Sequence, residues 1–276
     1  MLIAQLTDTH IRAPGVIAMG RVDTNAMLRD AVADLAGQNP APDVVIVTGD
    51  LVDQGTPDEY AALRDLLLPL TQPVFLIPGN HDHRENLRQA FPDHRYLPDG
   101  PFLQYTIDDY PLRLIALDSH VPGASHGELC AQRLSWLEQT LADAPDKPTI
   151  LFLHHPPFPT GLHGMDAIAC RDGAALGDIV ARYPNIERVL CGHHHRAIQV
   201  RWRGTLGCVA PSTAHQIALD LTPDMPAQYN MEPPGYMLHL WREGTGVITH
   251  TAFTRTYDGP YFFRESDAEK ARALRT

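Results

Sequence analysis

Seven residues of this chain have the types and the spacing that hold metal ions. Asp8 and His10 make a D-x-H pair in "LTDTH", Asp50 ends "VTGD", Asn80 stands in "PGNHD", His154 in "LFLHH", and His193 and His195 are the outer histidines of "CGHHHR". Residues two apart on an extended backbone point to the same side. Asp8 with His10, and His193 with His195, are therefore expected to converge on an ion while His194 faces away. The glycines before Asp50, Asn80 and His193 permit the tight turns that bring such side chains over a sheet edge. A single aspartate or asparagine is ordinarily a turn former. It is the joint pattern that points to metal chemistry, and 15 histidines in 276 residues point the same way.

The elements that must position these groups follow from hydrophobic periodicity. Runs rich in Val, Ile and Leu at 2–7, 44–50, 74–80, 112–118, 149–155 and 188–193 read as strands buried on both faces. They deliver Asp8, Asp50, Asn80, Asp118, His154 and His193 at or next to their ends. Helical patterns lie between them at 25–37, 57–70, 130–141 and 174–183. The first stops at Gly37, and the second opens with Thr56 as N-cap, Pro57 in the first turn and Glu59 as its capping-box partner. This alternation predicts an α/β fold with right-handed crossovers and a largely parallel sheet. Sites in such sheets form at the carboxyl ends of the strands, where these residues fall. After residue 196, shorter strands joined by Gly/Pro turns suggest a second, mostly antiparallel sheet packed on the first. Residues 217–235 read as a loop or cap, 83–110 as an insertion overhanging the site, and 259–276 as a polar tail, helical or frayed.

Composition bounds the partners. A formal charge of −11 with no Lys/Arg cluster argues against a nucleic-acid polymer as the main partner. No apolar run approaches the roughly 18–20 residues of a membrane span. The opening "MLIAQLTDTH" lacks the basic region of a signal peptide; read as a first strand, it gives a cytoplasmic location by default. Cys130, Cys170, Cys191 and Cys208 show no C-x-x-C spacing and read as small buried hydrophobes in a reducing compartment, with a disulfide between later segments as the alternative. His83, His94, His120, His126 and His163 read as surface or loop histidines. His155, beside His154 on an extended backbone, should face the other way and pack. Arg21 has two readings: a cation reaching a phosphate or an anionic leaving group, or a solvated loop charge.

The blocks "DTH" at 8–10, "GD" at 49–50, "GNHD" at 79–82, "HH" at 154–155 and "GHHH" at 192–195 resemble the calcineurin-like metallophosphoesterase superfamily. Within it the chain is most similar to the class III cyclic nucleotide phosphodiesterase and bacterial glycerophosphodiesterase branch, on "IPGNHD", "HHPPFP", "DAIAC", "SWLEQTL" and "STAHQ". The resemblance implies a four-layer α/β/β/α sandwich of two mixed sheets flanked by helices. It divides the chain into a catalytic domain at 1–215 and a cap or oligomerisation segment at 216–276 whose strands complete the second sheet. It further implies one metal on Asp8, His10, Asp50 and His195 and a second on Asp50, Asn80, His154 and His193, about 3.5–4 Å apart with Asp50 bridging. The nitrogen and oxygen donors, with no thiolate, suit Fe, Mn, Zn or Co. A hydroxide bridging the ions would attack phosphorus in line. By the same resemblance His81 is a non-ligand catalytic histidine, Asp82 structures its loop, and His215 is a supporting or substrate-contacting histidine. Asn80, His81, His215 and Arg21 are the expected substrate contacts. His194 stands where the family often has asparagine, a departure that leaves the ligand set intact.

The implied activity is hydrolysis of small phosphodiesters, glycerophosphodiesters or cyclic nucleotides, by a homodimer or larger homo-oligomer assembled through the region after Gly204. A phosphomonoesterase or nucleotidase on the same metals is the rival, separated by a cation placed for the extra charge of a monoester. From another class, a scaffold of this fold would bind partners without turnover.

Overall fold

Alternation along each strand decides what the strand packs against, and in the computed structural model it sorts the chain into two sheets. Residues 1–254, 257–267 and 270 are described. The first sheet runs β13 (Gly246–Phe253), β12 (Gly235–Arg242), β1 (Leu2–Leu6), β2 (Val44–Thr48), β3 (Val74–Ile77). The second runs β4 (Tyr105–Ile107), β5 (Arg113–Ala116), β6 (Thr149–Phe152), β7 (Ile186–Cys191), β9 (Thr205–Val209), β8 (Ile198–Trp202). Ala4, Leu6, Val45, Val47 and Leu76 face α1 (Thr24–Ala36) and α2 (Pro57–Leu67), whereas their neighbours Ile3, Val44, Ile46, Phe75 and Ile77 face the other sheet. Leu114, Ala116, Ile150, Phe152 and Leu190 meet them from the second sheet. Ile115, Leu151, Val189 and Val209 turn outward to α4 (Ala131–Asp143) and α6 (Gly173–Val180). Full burial of each Val, Leu, Ile or Phe among them stabilises by about 1.5–3 kcal/mol. The result is the expected four-layer α/β/β/α sandwich of two mixed sheets.

Two details of the sequence reading are corrected. The six buried runs do not share one sheet: β1, β2 and β3 are parallel neighbours in the first, and β5, β6 and β7 in the second. A strand buried on both faces has the same pattern whether helices or another sheet cover it, so the division is invisible to periodicity. Apart from a two-stranded ribbon of residues 216–217 and 229–230, the late strands form no sheet of their own, and those after residue 217 do not complete the second sheet. β9 pairs with β7 and β8 with β9, while β12 pairs antiparallel with β1 and β13 with β12, so the late strands extend both parallel sets. Covering those open edges removes templates for strand pairing.

Local signals set the helix ends. Thr56 N–H donates to Glu59 Oε2 at 3.3 Å as the capping box requires, and α1 is capped by Asp23, which accepts from Ala26 N at 3.0 Å. α3 (Arg84–Ala90) follows β3, and α5 (His163–Asp166) lies between β6 and α6. The 83–110 stretch begins at the strand-end edge, where Arg84 meets Asp118, and then turns inward. Tyr96 and Tyr105 enter the layer between the sheets and donate to the carbonyls of Val74 and Leu76 at 3.0 and 2.9 Å, closing the β3 side. The 217–235 cap holds a two-stranded ribbon, β10 (Gln216–Ile217) with β11 (Tyr229–Asn230). Arg196 Nη1 donates to Ile217 O and Glu232 Oε2, both at 2.6 Å, and fastens the cap. Residues 268–269 and 271–276 of the tail lie outside the described residues, so the reading of that part as helical or frayed has no counterpart here. Among the described residues no helix is long and apolar enough to cross a membrane. All four cysteines are unpaired, and three are buried.

Candidate metal centre

The loops leaving β1, β2 and β7 carry five of the seven predicted ligands, and all five are in the left-handed region: Asp8 (φ 51°), His10 (φ 44°), Asp50 (φ 46°), His193 (φ 68°) and His195 (φ 47°). This corrects the stated reason for the D-x-H and H-x-H pairs, which are not extended. Asp8 and His10 do come together, whereas His193 groups with His154 and not with His195; the placement is made by backbone that L-residues sparsely populate, at roughly 1–3 kcal/mol each. Hydrogen bonds hold the conformation. Asp8 N and His10 N donate to Gly49 O and Asp50 O at 3.0 Å, zipping the first two loops together. His193 N donates to the Asp8 carboxylate at 3.0–3.1 Å and brings in the third. Packing here is so close that a Cβ on Gly192 would lie 2.8 Å from Asp8 Oδ2, and nearer still to the Thr7 hydroxyl.

The donor atoms fit a cation. His195 Nδ1 is 2.9 Å from His215 O and His154 Nδ1 is 2.8 Å from Thr48 O. A carbonyl only accepts, so both Nδ1 atoms carry the proton and each neutral ring presents a bare Nε2 lone pair. His195 Nε2 faces Asp8 Oδ1 and His10 Nε2, both at 3.2 Å. His154 Nε2 faces Asp50 Oδ2 and Asn80 Oδ1, both at 3.3 Å. Acceptors pointed at acceptors in a buried cluster repel one another unless positive charge lies between them. Without an ion, protons serve. Burial lowers the His154 ring, but Asp50 and Asp8 outweigh it and push it up to about 9. Burial likewise raises Asp50, yet His154 and His81 hold it well below the usual carboxylate range. Asp8, His10, Asp50 and His195 group within ligand distance of one another, as do His154 and His193 together with His155. His193 Nε2 is 3.1 Å from Ile168 O, which leaves Nδ1 for coordination.

Around this core the other predicted residues separate. His81 is part-exposed; its backbone N–H donates to Asp50 Oδ1 at 2.9 Å and its Nδ1 is 2.8 Å from Asp53 O, so Nε2 is free. Asp82 accepts from Gly79 N (2.7 Å), Leu51 N (3.0 Å) and Tyr60 Oη (2.8 Å), fixing the loop that carries Asn80 and His81. The His215 ring stacks 4.6 Å from His195 and 5.5 Å from His10, with Tyr229 on its other side at 5.3 Å. Arg21 is exposed on the turn bridged by Ala18 and Val22, and among the described residues no polar side-chain contact ties it to the centre. His194 turns away to Thr160 Oγ1 at 3.1 Å, as expected.

Three features departed from the sequence reading or escaped it. His155 does not face away; its ring lies 4.6 Å from His193 while Nδ1 meets Ser119 Oγ at 2.8 Å. His120 is buried, not a surface residue. Asp53 went unnoticed, yet Oδ1 is 3.3 Å from His10 Nδ1 and Oδ2 pairs with Arg12. A carboxylate behind a ligand histidine orients the ring and raises its basicity. Its spacing, three residues after Asp50 with Arg12 two after His10, was a usable signal that the turn composition concealed.

Comparison with known proteins agrees with this geometry. A family model described as calcineurin-like phosphoesterase matches residues 1–197. A probable glycerophosphodiester phosphodiesterase from Arcobacter nitrofigilis is 38% identical over 270 residues, 98% of this chain and 99% of the relative. A 3',5'-cyclic adenosine monophosphate phosphodiesterase from Escherichia coli K12 is 31% identical over 214 residues, 78% of this chain and 76% of the relative. In fold, a dimetal phosphatase from Danio rerio superposes with a TM-score of 0.63 at 14% identity, covering 92% of this chain and 99% of that one.

Proposed function

Because the chain belongs to the calcineurin-like phosphoesterase family, we propose that it is a binuclear-metal-dependent phosphodiesterase hydrolysing small phosphodiesters, glycerophosphodiesters and/or cyclic nucleotides. The observation that carries this is the set of donor atoms turned toward one another from both sheets, His10, His154 and His195 with Asp8, Asp50 and Asn80. His193 completes the set of seven. Two bound cations of the Fe, Mn, Zn or Co type supply Lewis acidity to the phosphoryl oxygens and make hydroxide available near neutral pH.

The chain's own residues do the rest. Asp50 serves both halves of the donor set. His81, oriented through Nδ1 by the Asp53 carbonyl, presents Nε2 to hold a proton at a phosphoryl oxygen or deliver it to the leaving alkoxide. Asn80, on the same loop, positions the ester from beside His154. The buried ring of His215 forms the wall next to His195. The exposed position of Arg21 supports the diester over the rival monoester reading, since among the described residues no polar side-chain contact holds that cation where a dianion would need it.

We also include a cytoplasmic location, supported by four unpaired cysteines, and a catalytic domain at 1–215 with a cap and oligomerisation segment at 216–276. Exposed Leu219, Leu221, Phe253, Tyr261 and Phe263 in that segment support assembly as a homodimer or higher homo-oligomer. The test is an initial-rate panel on chelated, metal-reconstituted protein with bis(p-nitrophenyl) phosphate, p-nitrophenyl phosphate, glycerophosphoethanolamine and cyclic AMP. The expected result is metal-dependent diester turnover well above monoester turnover, abolished in Asn80→Ala. Monoester preference would transfer the protein to the phosphatases, and no turnover of any of the four would overturn the assignment.

A further inference from the structure

The donors to the second metal come from opposite sheets: Asp50 and Asn80 lie beyond β2 and β3 of the first, His154 and His193 beyond β6 and β7 of the second. Their spacing therefore depends on what ties the two sheets together at that edge. Asp82 holds the Asn80 loop only to its own half, through Gly79, Leu51 and Tyr60. His154 Nδ1 is tied to Thr48 O of the first sheet directly, and the Asn80 loop reaches across through Arg84, four residues after Asn80 and the first residue of α3. Its Nε and Nη2 donate to Asp118 Oδ2 and Oδ1 at 2.6 and 2.8 Å, a forked pair just past the end of β5, with Arg84 14% exposed and Asp118 fully buried.

The turn that receives this fork also grips the other half of the site. Nη2 of Arg84 donates to His120 O at 2.7 Å, and Asp118 accepts further from Leu103 N at 2.7 Å and His120 N at 3.0 Å. Between them, Ser119 Oγ accepts from His155 N at 3.3 Å and meets His155 Nδ1 at 2.8 Å, fixing the residue next to His154. Arg133 Nη1 supports the turn from behind, donating to Asp118 O at 2.9 Å. The Phe102 ring lies 5.6 Å from the Arg84 guanidinium carbon and 4.5 Å from that of Arg133.

We infer that Arg84 and Asp118 are positioning residues for the second metal: the fork, passing through the 118–120 turn, sets the Asn80-to-His154 span across the sheet interface. This rests on the two-metal reading above. Lysine at position 84 keeps the charge but loses the planar two-point grip, and asparagine at 118 keeps the shape but loses the charge that receives it. Loss of such outer contacts ordinarily costs about 10–100-fold in metal affinity.

The test is calorimetric titration of chelator-stripped, full-length protein with Mn²⁺, alongside the electron paramagnetic resonance signal of coupled manganese. His10→Ala and Asn80→Ala identify which binding step belongs to which ion, and Leu141→Ala, in the core under α4, supplies a destabilised control far from the site. Arg84→Lys and Asp118→Asn are expected to weaken the step that Asn80→Ala removes by about 10–100-fold, while the step that His10→Ala removes stays within about twofold. Should Arg84→Lys fail to fold, Asp118→Asn alone decides. Unchanged affinity for both ions, or equal weakening of both as in the control, would overturn the inference. A wild-type protein taking up a single equivalent would instead overturn the two-metal reading, and the inference with it.

Discussion

Replacing Gly192 by alanine puts one methyl group where the three ligand loops meet. The added Cβ would lie 2.8 Å from Asp8 Oδ2 and 3.0 Å from Thr48 O, with the Thr7 hydroxyl closer than either. Relief of these overlaps requires a displacement on the order of 1 Å, since non-bonded heavy atoms rest near 3.5 Å. Neither carbonyl nor carboxylate can yield freely. Thr48 O also accepts from His154 Nδ1, and Asp8 accepts from His193 N. The shift therefore falls on Gly192 and the two ligands after it. Overpacking of this kind costs about 1–3 kcal/mol of stability, or several degrees in Tm for a chain of this size. A displacement of about 1 Å in a reacting group costs about 100-fold in rate, equivalent to about 2.7 kcal/mol. The assays are Tm by calorimetry, Mn²⁺ stoichiometry, and kcat/KM on bis(p-nitrophenyl) phosphate at saturating metal, with Gly15→Ala as reference because no atom lies within 4 Å of its added Cβ. Gly15 has φ +83°, so that variant reports backbone strain without crowding. The reasoning is refuted if Gly192→Ala keeps kcat/KM within about threefold of the reference variant, below the roughly 100-fold effect of misplacement.

Two further predictions follow from the protonation pattern. His81→Ala should leave Mn²⁺ stoichiometry and Tm unchanged and lower turnover by about 100-fold or more for an alkoxide leaving group, with a smaller loss for p-nitrophenoxide, which needs no proton. An equal loss across leaving groups would remove the proton-donor role. The raised value of His154, about 9 against an ordinary 6.5, means that its contribution to the metal-free fold is complete below pH 6.5 and lost as pH rises through 9. Binding a cation must expel that proton. Over this interval the Tm of chelated protein should fall while Mn²⁺ affinity rises with measurable proton release, and a flat affinity would contradict the assignment of His154 as a ligand.

The types and order of these candidate residues were legible because each lies at or near the end of a buried apolar run, where a loop must turn, and because Asp, Asn and His are the residues that tolerate such turns chemically. What carried no mark in one dimension was the partition of those runs between two sheets, since Val44–Thr48 and Thr149–Phe152 have the same wholly buried pattern. The left-handed backbone of Asp8, His10 and His195 was equally hidden. Those residue types enter that region more readily than β-branched ones but do not announce it. Asp53 looked like a turn residue, and Arg84 and Asp118 are 34 positions apart with no pattern joining them. Contacts made by the third dimension alone were the ones missed.

The donors at this centre reach from position 8 to position 195 and come from both halves of the sandwich. Neither half can assemble a complete coordination set before the two have docked. Ions present during refolding would therefore meet the full set of donors only after the two halves have docked. Once bound, they would act as a cross-link between the sheets that must be released before the halves separate. The expected effect is on kinetic stability: the folded protein would last longer because unfolding slows.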